Sequence, residues 1–313
     1  MDSTAQTGIS VTDDIFTGRG EVGKLMRSID WTQTPLGSIE TWPQSLRTAI
    51  SICLASRFPM LIWWGPELVM LYNDAYLPIL ATKHPKAMGQ RGKECWPEIW
   101  NIIGPMLEGV LIRGEATWSE NQLLLLERNG YPEECYFTFS YSPIRDESGG
   151  VGGIFTAVSE TTGQVLGDRR LRTLHDLAER AGEAKTAEEV CFIATEMLAG
   201  NTADIPFALL YLLDNDGKQA SLAGSFGVNP DSLAGSRLVD LTQPEGFGQW
   251  PLAQVASTGQ PALVDSLSER FGVFTTMQAD GITPHSALVL PIARSGQQIP
   301  YGLLVVGISP LRT

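Results

Sequence analysis

The sequence predicts two α+β domains, each an antiparallel sheet flanked by helices, with a helix joining them. A chain of 313 residues with 43% hydrophobic residues is long enough to bury two cores. In both halves, strand-like segments are separated by short turn signals such as Gly65-Pro66, which favour antiparallel pairing. A charged segment with leucines at helical spacing, residues 161–184, divides the halves and predicts the joining helix.

The N-terminal residues 1–36 are polar and rich in Gly, Thr and Asp, so we expect a loosely packed, partly disordered leader with one short helix over 22–29. A longer helix is then predicted to open at Thr41, which forms a capping box with Gln44, while Pro43 is tolerated in the first turn. The predicted buried stripe of this helix is Leu46, Ile50, Cys53 and Leu54.

The first domain, residues 37–160, continues with a predicted β-hairpin over 59–64 and 68–72. Helical spacing follows at 74–80 and 95–112. Three strand-like segments complete the domain, at 117–127, 134–143 and 152–159, divided by clear turn signals. The predicted order is therefore strand, strand, helices and three strands.

The joining helix carries an apolar stripe amid many charged residues. Its members are Leu171, Leu174, Leu177, Ala178 and Ala181. So narrow a seam suits pairing with the same helix of a second subunit, and packing on its own domain is an equally weighted alternative. We therefore expect a homodimer.

The second domain, residues 185–313, is predicted to open with a capping box, Thr186 to Glu189. Two hairpins are predicted, one joining 206–214 to 218–227 and the other turning at 295–298. Between them we expect a helix over 250–257 and a short strand over 261–265.

Several of these segments resemble a known family. LGSIETWPQSLRTAI, FPMLIWWGPELVMLYNDAYLPIL and the exit SETT resemble PAS domains, and TAEEVCFIATEMLA, LVLPI and GLLVVGIS resemble GAF domains, in the order found before the kinase core of bacterial sensor and hybrid histidine kinases. The resemblance implies a PAS fold followed by a GAF fold, with Asn73 as the helix-opening asparagine. The family's closing GAF helix and kinase domains would follow Thr313, so we expect no enzymatic activity in this chain and a C-terminal kinase or output domain as its partner.

The resemblance further implies a ligand pocket between the PAS sheet and its helices. The candidate ligand-binding residues are Trp63, Tyr72, Asn73, Trp96, Trp100, Phe137 and Phe139. Ordinary core packing is the alternative for each aromatic ring. Since side chains alternate along a strand, only one of Trp63 and Trp64 can face the core.

No cofactor or metal is predicted. Four widely spaced cysteines without a CxxC pair, Cys53, Cys95, Cys135 and Cys191, are typical of reduced structural thiols. The surroundings of Cys95 do not match a flavin-adduct motif, and His84, in a polar loop where we expect it to be solvated, is a haem ligand by elimination only. His175 on the joining helix lacks the HExxxP pattern of a phosphoacceptor.

The formal charge of −13 argues against nucleic acid and anionic lipid as partners. No secretory signal and no apolar run of about 20 residues is visible, so we expect a cytoplasmic protein. We expect a sensory input module of bacterial two-component signal transduction that binds a small ligand or partner and signals through the joining helix to a histidine kinase. A dimerising scaffold without a small ligand, and a cofactor-bearing light, redox or gas sensor, stay open.

Overall fold

The computed structural model describes residues 15–16, 20–243, 246, 248–272, 283–293 and 300–311. The chain forms two compact units, and the boundary between unit 1 and unit 2 falls between Val165 and Leu166. Each unit is a mixed α+β body built on one antiparallel sheet. The predicted α+β class with antiparallel sheets is confirmed.

The described part of unit 1 contains five strands, four 3-10 turns and, besides the start of the joining helix, five α-helices with defined bounds. The helices are α1 (Glu21–Ser28), α2 (Gln44–Ala55), α3 (Leu77–Leu80), α4 (Gly92–Cys95) and α5 (Trp100–Arg113). The strands are β1 (Met60–Trp64), β2 (Val69–Tyr72), β3 (Thr117–Leu126), β4 (Glu133–Arg145) and β5 (Val151–Glu160). They pair in the order β2-β1-β5-β4-β3, and every neighbouring pair is antiparallel.

Trp63 and Trp64 occupy opposite faces of the unit 1 sheet, as strand alternation requires. Trp63 is buried on the face that carries α3 to α5, and Trp64 is buried on the other face. The Trp64 ring lies against Gly153 of the neighbouring β5, where an added Cβ would stand 2.5 Å from Cε3 of the ring. Glycine at 153 is therefore what allows a second tryptophan to be buried here.

The expectation of a loosely packed leader is wrong for the described part of residues 1–36. Phe16, Val22, Met26 and Trp31 are all buried in the unit 1 core. The rings of Phe16 and Trp31 have centroids 6.1 Å apart, and Trp42 packs edge-on against Trp31 at 5.0 Å. These long-range aromatic contacts bury a segment whose polar composition predicted the opposite. The rest of the predicted leader, residues 1–14 and 17–19, lies outside the described residues.

The predicted capping box at Thr41 is also wrong. Helix α2 begins at Gln44 with Pro43 as its N-cap, and the Thr41 hydroxyl donates to the Ser38 carbonyl at 2.6 Å in a preceding 3-10 turn. A proline keeps the residue before it in an extended conformation, so the helix cannot start earlier than Pro43.

Unit 2 contains most of α6 (Thr162–Ala181), the helix predicted to join the domains, which begins in unit 1 and crosses the boundary. Its other helices are α7 (Ala187–Ala199), α8 (Leu252–Thr258) and α9 (Leu267–Phe271). Its strands are β6 (Ala208–Leu213), β7 (Gln219–Phe226), β8 (Leu238–Asp240), β9 (Ala262–Val264), β10 (Ala287–Ile292) and β11 (Gly302–Gly307).

The unit 2 sheet has the order β8-β7-β6-β11-β10-β9 and is antiparallel throughout. The predicted pairing of the last two strands is confirmed by the register Ala287 to Gly307, and its turn at 295–298 lies outside the described residues. The N-cap half of the predicted capping box of α7 is confirmed, because Thr186 Oγ1 accepts from the Glu189 amide at 3.1 Å. The Glu189 carboxylate accepts from the Lys185 amide at 2.7 Å, one residue before the predicted partner. Within the described ranges, no helix is both long enough and apolar enough to cross a bilayer.

Candidate functional site

An interior cavity of about 40 Å³ lies in unit 1 between the sheet and helices α3 to α5. Every residue that lines it is buried. The lining consists of Leu61, Trp63, Tyr76, Ile79, Trp96, Ile99, Ile103, Leu124, Leu126, Phe137, Phe139, Tyr141, Thr156 and Val158. The site is therefore apolar, with hydroxyl and indole groups as its only polar atoms.

Four of the seven residues predicted from sequence come together here. Trp63, Trp96, Phe137 and Phe139 line the cavity, and Tyr72, Asn73 and Trp100 do not. Whether the four contact a ligand stays a prediction. The other three contact other residues of unit 1.

Trp63 is fixed within the cavity wall from two sides. Its Nε1 donates to Thr156 Oγ1 at 2.9 Å, and the two residues are on the neighbouring strands β1 and β5. The Trp100 ring packs against it with centroids 6.4 Å apart and planes at 61°. Trp100 thus supports the wall from outside the cavity, and the Thr156 hydroxyl oxygen is already used as an acceptor.

Asn73 binds backbone rather than the cavity. Its Nδ2 donates to the carbonyls of Cys53, Ser56 and Phe58 at 2.8–3.1 Å, and its Oδ1 accepts from the Met60 amide at 3.1 Å. These contacts hold the segment between α2 and β1 against the end of β2, which Asn73 follows directly. The side chain is 1% exposed and its polar atoms are all used.

The Tyr72 hydroxyl is hydrogen-bonded to Nδ1 of His84 at 2.9 Å, and Nε2 of His84 lies 3.2 Å from Oε1 of Glu21 on α1. The expectation of a solvated His84 is wrong, since its side chain is only 13% exposed. Both ring nitrogens are occupied by protein contacts, so an axial-ligand role would require breaking one of them.

Two tyrosines that sequence reasoning missed, Tyr76 and Tyr141, also line the cavity. Their hydroxyls have no hydrogen-bond partner in the described part of the chain, although the residues are only 6% and 4% exposed. Burial raises the pKa of both phenols well above the ordinary range, and for Tyr76 the neighbouring Cys95 and Tyr141 add to the increase in pKa. Both groups are therefore neutral donors.

The strand that forms one wall of the cavity leads directly into α6. β5 carries the cavity residues Thr156 and Val158 and ends at Glu160. The Glu160 carboxylate receives two hydrogen bonds from Arg128, each 2.9 Å long. Thr162, the first residue of α6, accepts from the Tyr136 amide at 2.9 Å. The start of α6 is thus tied to the cavity's own sheet.

Within unit 2, α6 is held by a second ion pair. Arg169 Nη2 lies 2.6 Å from Oδ1 of Asp204, and Arg169 Nε donates to the other carboxylate oxygen at 3.1 Å. Burial of Asp204 opposes ionisation, but the hydrogen bonds from Arg169 and Asn201 outweigh it and lower the pKa of Asp204.

The predicted stripe of α6 divides in the structure. Leu177 and Ala181 line an apolar groove formed with α7 and the outer face of β6 and β11. Leu171 and Leu174 are 67% and 61% exposed. Packing on the unit's own sheet therefore accounts for part of the stripe and leaves two leucines exposed.

The four cysteines are free and buried. Burial raises the pKa of Cys53 and Cys95 to about 12 and that of Cys135 to about 11, which keeps these thiols protonated and unreactive at neutral pH. In the ranges that the structure describes, no three His, Cys, Asp or Glu side chains form a group able to hold a metal ion.

No protein-family model and no curated protein matches this chain. Among solved structures, the GAF domain of an Acinetobacter phosphoenolpyruvate-protein phosphotransferase is 20% identical, with a TM-score of 0.34 over 46% of this chain and 81% of that one. A sensory box sensor histidine kinase from Vibrio cholerae is 16% identical, with a TM-score of 0.27 over 37% and 90%. A type II free methionine-R-sulfoxide reductase from Thermoplasma acidophilum is 13% identical, with a TM-score of 0.28 over 43% and 78%.

These similar structures include both sensory domains and an enzyme. At TM-scores below 0.5 they carry no argument about what this chain does, and the expectation that it is not an enzyme stays a prediction. Function is therefore argued from the site itself.

Proposed function

We propose that this chain is a sensory input module in which unit 1 binds a small molecule in its interior cavity and α6 passes the change to unit 2 and to an output domain. The observation that carries the proposal is that one strand, β5, both lines the cavity and continues into α6. The order of a PAS and then a GAF domain before a histidine kinase core, which the sequence resemblance implies, fits this role.

The relay follows from the contacts at the end of β5. A ligand that displaces Thr156 or Val158 moves the strand that ends at Glu160, and the Arg128 pair then shifts with it. Because Thr162 starts α6 two residues later, a small strand shift becomes a rotation or translation of the helix. Coupling of this kind amounts to about 1–3 kcal/mol.

The proposed module is a homodimer. The observation that favours pairing is the exposure of Leu171 and Leu174 on α6, one helical turn apart. The same exposure also supports the second candidate function, a dimerising scaffold that binds no small molecule. The two are separated by whether the cavity is occupied.

Native mass spectrometry of the full chain, as purified from cells, tests occupancy. Ile103 lines the cavity and Ile112, on the same helix, is 83% exposed. Ile103→Phe fills the cavity, so a co-purified mass present in the wild type should be lost in this variant and retained in Ile112→Phe. An identical mass increment in all three proteins would place the ligand elsewhere, and no increment in any of them would favour the scaffold.

Glu160→Gln tests the relay. The variant keeps the shape of the side chain but removes the charge that receives both Arg128 hydrogen bonds. Hydrogen exchange at the first turn of α6 should speed up in this variant, while the mass of any bound molecule stays unchanged. Unaltered exchange at α6 would contradict a relay through this pair.

A further inference from the structure

We propose that Asn129 is a modification site, at which the chain deamidates itself and places a new carboxylate against the buried Glu133. The reaction needs no bound ligand, so this inference is independent of the proposed function. Three observations carry it: the residue that follows Asn129, the hydrogen bonding of that residue's amide, and the partner of the Asn129 side chain.

Asn129 lies in the turn that joins β3 to β4, and Gly130 follows it. Among the seven asparagines of the chain, Asn129 alone precedes a glycine. Both residues are exposed. Because glycine has no side chain to shield its own amide nitrogen, this nitrogen can approach the preceding side chain with little steric hindrance. The turn therefore exposes a backbone nitrogen and a side-chain amide next to one another.

The Gly130 amide makes no hydrogen bond with any described residue. Its φ is +83°, and nothing stands within 4 Å of the position that a Cβ would take. The last paired residues of the two strands are Leu126 and Glu133, so the β3–β4 ladder does not include this peptide. The backbone can therefore rotate here without breaking a ladder hydrogen bond, and only the bond from Nδ2 of Asn129 to Glu133 has to open.

The reaction needs water as its only co-reactant. The Gly130 nitrogen attacks Cγ of Asn129, the bond from Cγ to Nδ2 breaks, and the proton of the Gly130 amide leaves with Nδ2 as ammonia. Water then opens the cyclic imide at either carbonyl carbon, with its hydroxyl going to that carbon and its hydrogen to the nitrogen. The product is aspartate or the isomer whose backbone runs through the side-chain carbon.

The contacts of Glu133 determine the effect of the product. Asn129 Nδ2 donates to Oε1 of Glu133 at 2.8 Å, and Oε2 of Glu133 accepts from Nε of Arg128 at 3.2 Å. Glu133 is only 5% exposed. Deamidation replaces the donor by a second carboxylate, which repels Glu133 and competes for Arg128. Since Arg128 also binds Glu160, the modification weakens the contacts at the end of β5.

Peptide mapping of the full chain tests the reaction. The protein is incubated for days in mildly alkaline buffer made with heavy-oxygen water, and it is then digested with trypsin in ordinary water. Cleavage after Arg128 and Arg145 releases residues 129–145, in which Asn129 is the only asparagine and no glutamine occurs. Heavy oxygen in this peptide therefore locates deamidation at Asn129 and dates it before the digestion.

The same digest contains two internal controls. Asn101 and Asn121 are also exposed, but isoleucine and glutamine follow them, so their peptides should stay unlabelled while the Asn129 peptide gains label. Gly130→Ala should slow the labelling of Asn129 severalfold, because the added methyl group hinders the approach of the nitrogen. Alanine is strained at this positive φ, so the product itself provides a second measurement: an Asp-specific protease does not cleave the isomer, which arises only through the cyclic imide.

Asn129→Asp reproduces one of the two products. Its Tm should be about 2–4 °C below that of Asn129→Ala, because both variants lose the donor to Glu133 and only the aspartate adds a charge.

An Asn129 peptide that stays unlabelled, equally fast labelling of Asn101 or Asn121, or a product that the Asp-specific protease cleaves completely would overturn deamidation through the Gly130 amide. Equal Tm values for Asn129→Asp and Asn129→Ala would overturn the effect on Glu133.

Discussion

Asn73 makes four side-chain hydrogen bonds to the backbone of residues 53–60, one of them buried and three part-buried, where α2, β1 and the end of β2 meet. Such a side chain acts at the scale of one residue, because its removal deprives several poorly exposed backbone groups of a partner. At the same scale, the Asp204 carboxylate is held by its ion pair with Arg169 and by a hydrogen bond from Asn201 Nδ2 at 2.8 Å.

Asn73→Ala should lower the free energy of unfolding of unit 1 by about 3 kcal/mol, because the Met60 amide and the Ser56 and Phe58 carbonyls lose their bond to this side chain. The Cys53 carbonyl keeps its bond from the Ser56 amide at 3.2 Å. Urea unfolding measures the change. Asn101→Ala, at an exposed position on α5, is the control and should alter stability by about 0.5 kcal/mol or less. Equal effects of the two substitutions would contradict the structural role of Asn73.

Asp204 gives unit 2 a defined acid sensitivity. Its pKa lies below the ordinary value of 3.8, so its ion pair stabilises the folded state above that value and loses this effect as pH falls through the lowered pKa. The stability gap between the wild type and Asp204→Asn, measured by urea unfolding, should therefore narrow below about pH 4. Asp176→Asn, at an exposed position on α6, is the control and is measured over the same pH range. A gap that stays constant with pH would contradict the pairing.

Helix α6 contains two glycines that could be replaced by a larger residue. Gly163 and Gly167 lie in its first two turns, and no atom stands within 4 Å of the position that a Cβ would take at either one. Neither packing nor backbone conformation requires glycine here. Glycine inside a helix weakens it relative to alanine, so the first two turns of α6 are less stable than they would be with alanine at these two positions.

Gly163→Ala and Gly167→Ala should each stabilise α6 by about 0.5–1 kcal/mol. The change is measured as slower hydrogen exchange of amides 163–170 and a Tm that is unchanged or higher. Faster exchange in either alanine variant would contradict the conclusion that a Cβ at these two positions meets no other atom. Gly153→Ala is the matched contrast: it should destabilise unit 1 because its Cβ meets the Trp64 ring.

Elements with strong local signals could be predicted from the sequence. Hairpin turns such as Asn215-Asp216-Gly217 and the N-cap at Thr186 depend on neighbouring residues only, so their positions were correct. The burial of Phe16 could not be predicted, because it depends on contacts with Trp31 and Trp42, which no local pattern encodes. Tertiary contacts decide such segments.

The candidate site divides in the same way. Phe137 and Phe139, two residues apart, were among the candidates for the pocket that the resemblance implies. Alternation along β4 places Tyr141 on the same face as both, so this tyrosine could have been found. No sequence pattern pointed to Tyr76, because it ends a 3-10 turn, where side chains do not alternate between two faces as they do in a strand. That Tyr72 is bonded to His84 instead of facing the cavity is a matter of side-chain geometry beyond any periodic pattern.

At the scale of the whole molecule, two exposed leucines on α6 bear on assembly. Leu171→Asp combined with Leu174→Asp should convert the proposed homodimer to a monomer, seen by light scattering as a fall from twice the chain mass of 34.0 kDa. Leu177 is left unchanged because it lines the groove of unit 2. Ile112→Asp, at another exposed site, should leave the mass of the wild type unaltered. A monomeric wild type would contradict pairing through α6.

Gly163 and Gly167, which weaken the first turns of α6, also affect where a protease can cleave the chain. Arg170 and Arg172 are exposed on α6, shortly after Gly167 and beyond the unit boundary. A protease needs an extended stretch of backbone, so it cleaves a helix only where the helix opens locally. Brief trypsin treatment should therefore cleave at Arg170 or Arg172 before it enters the core of either unit, and the alanine variants should delay that cut.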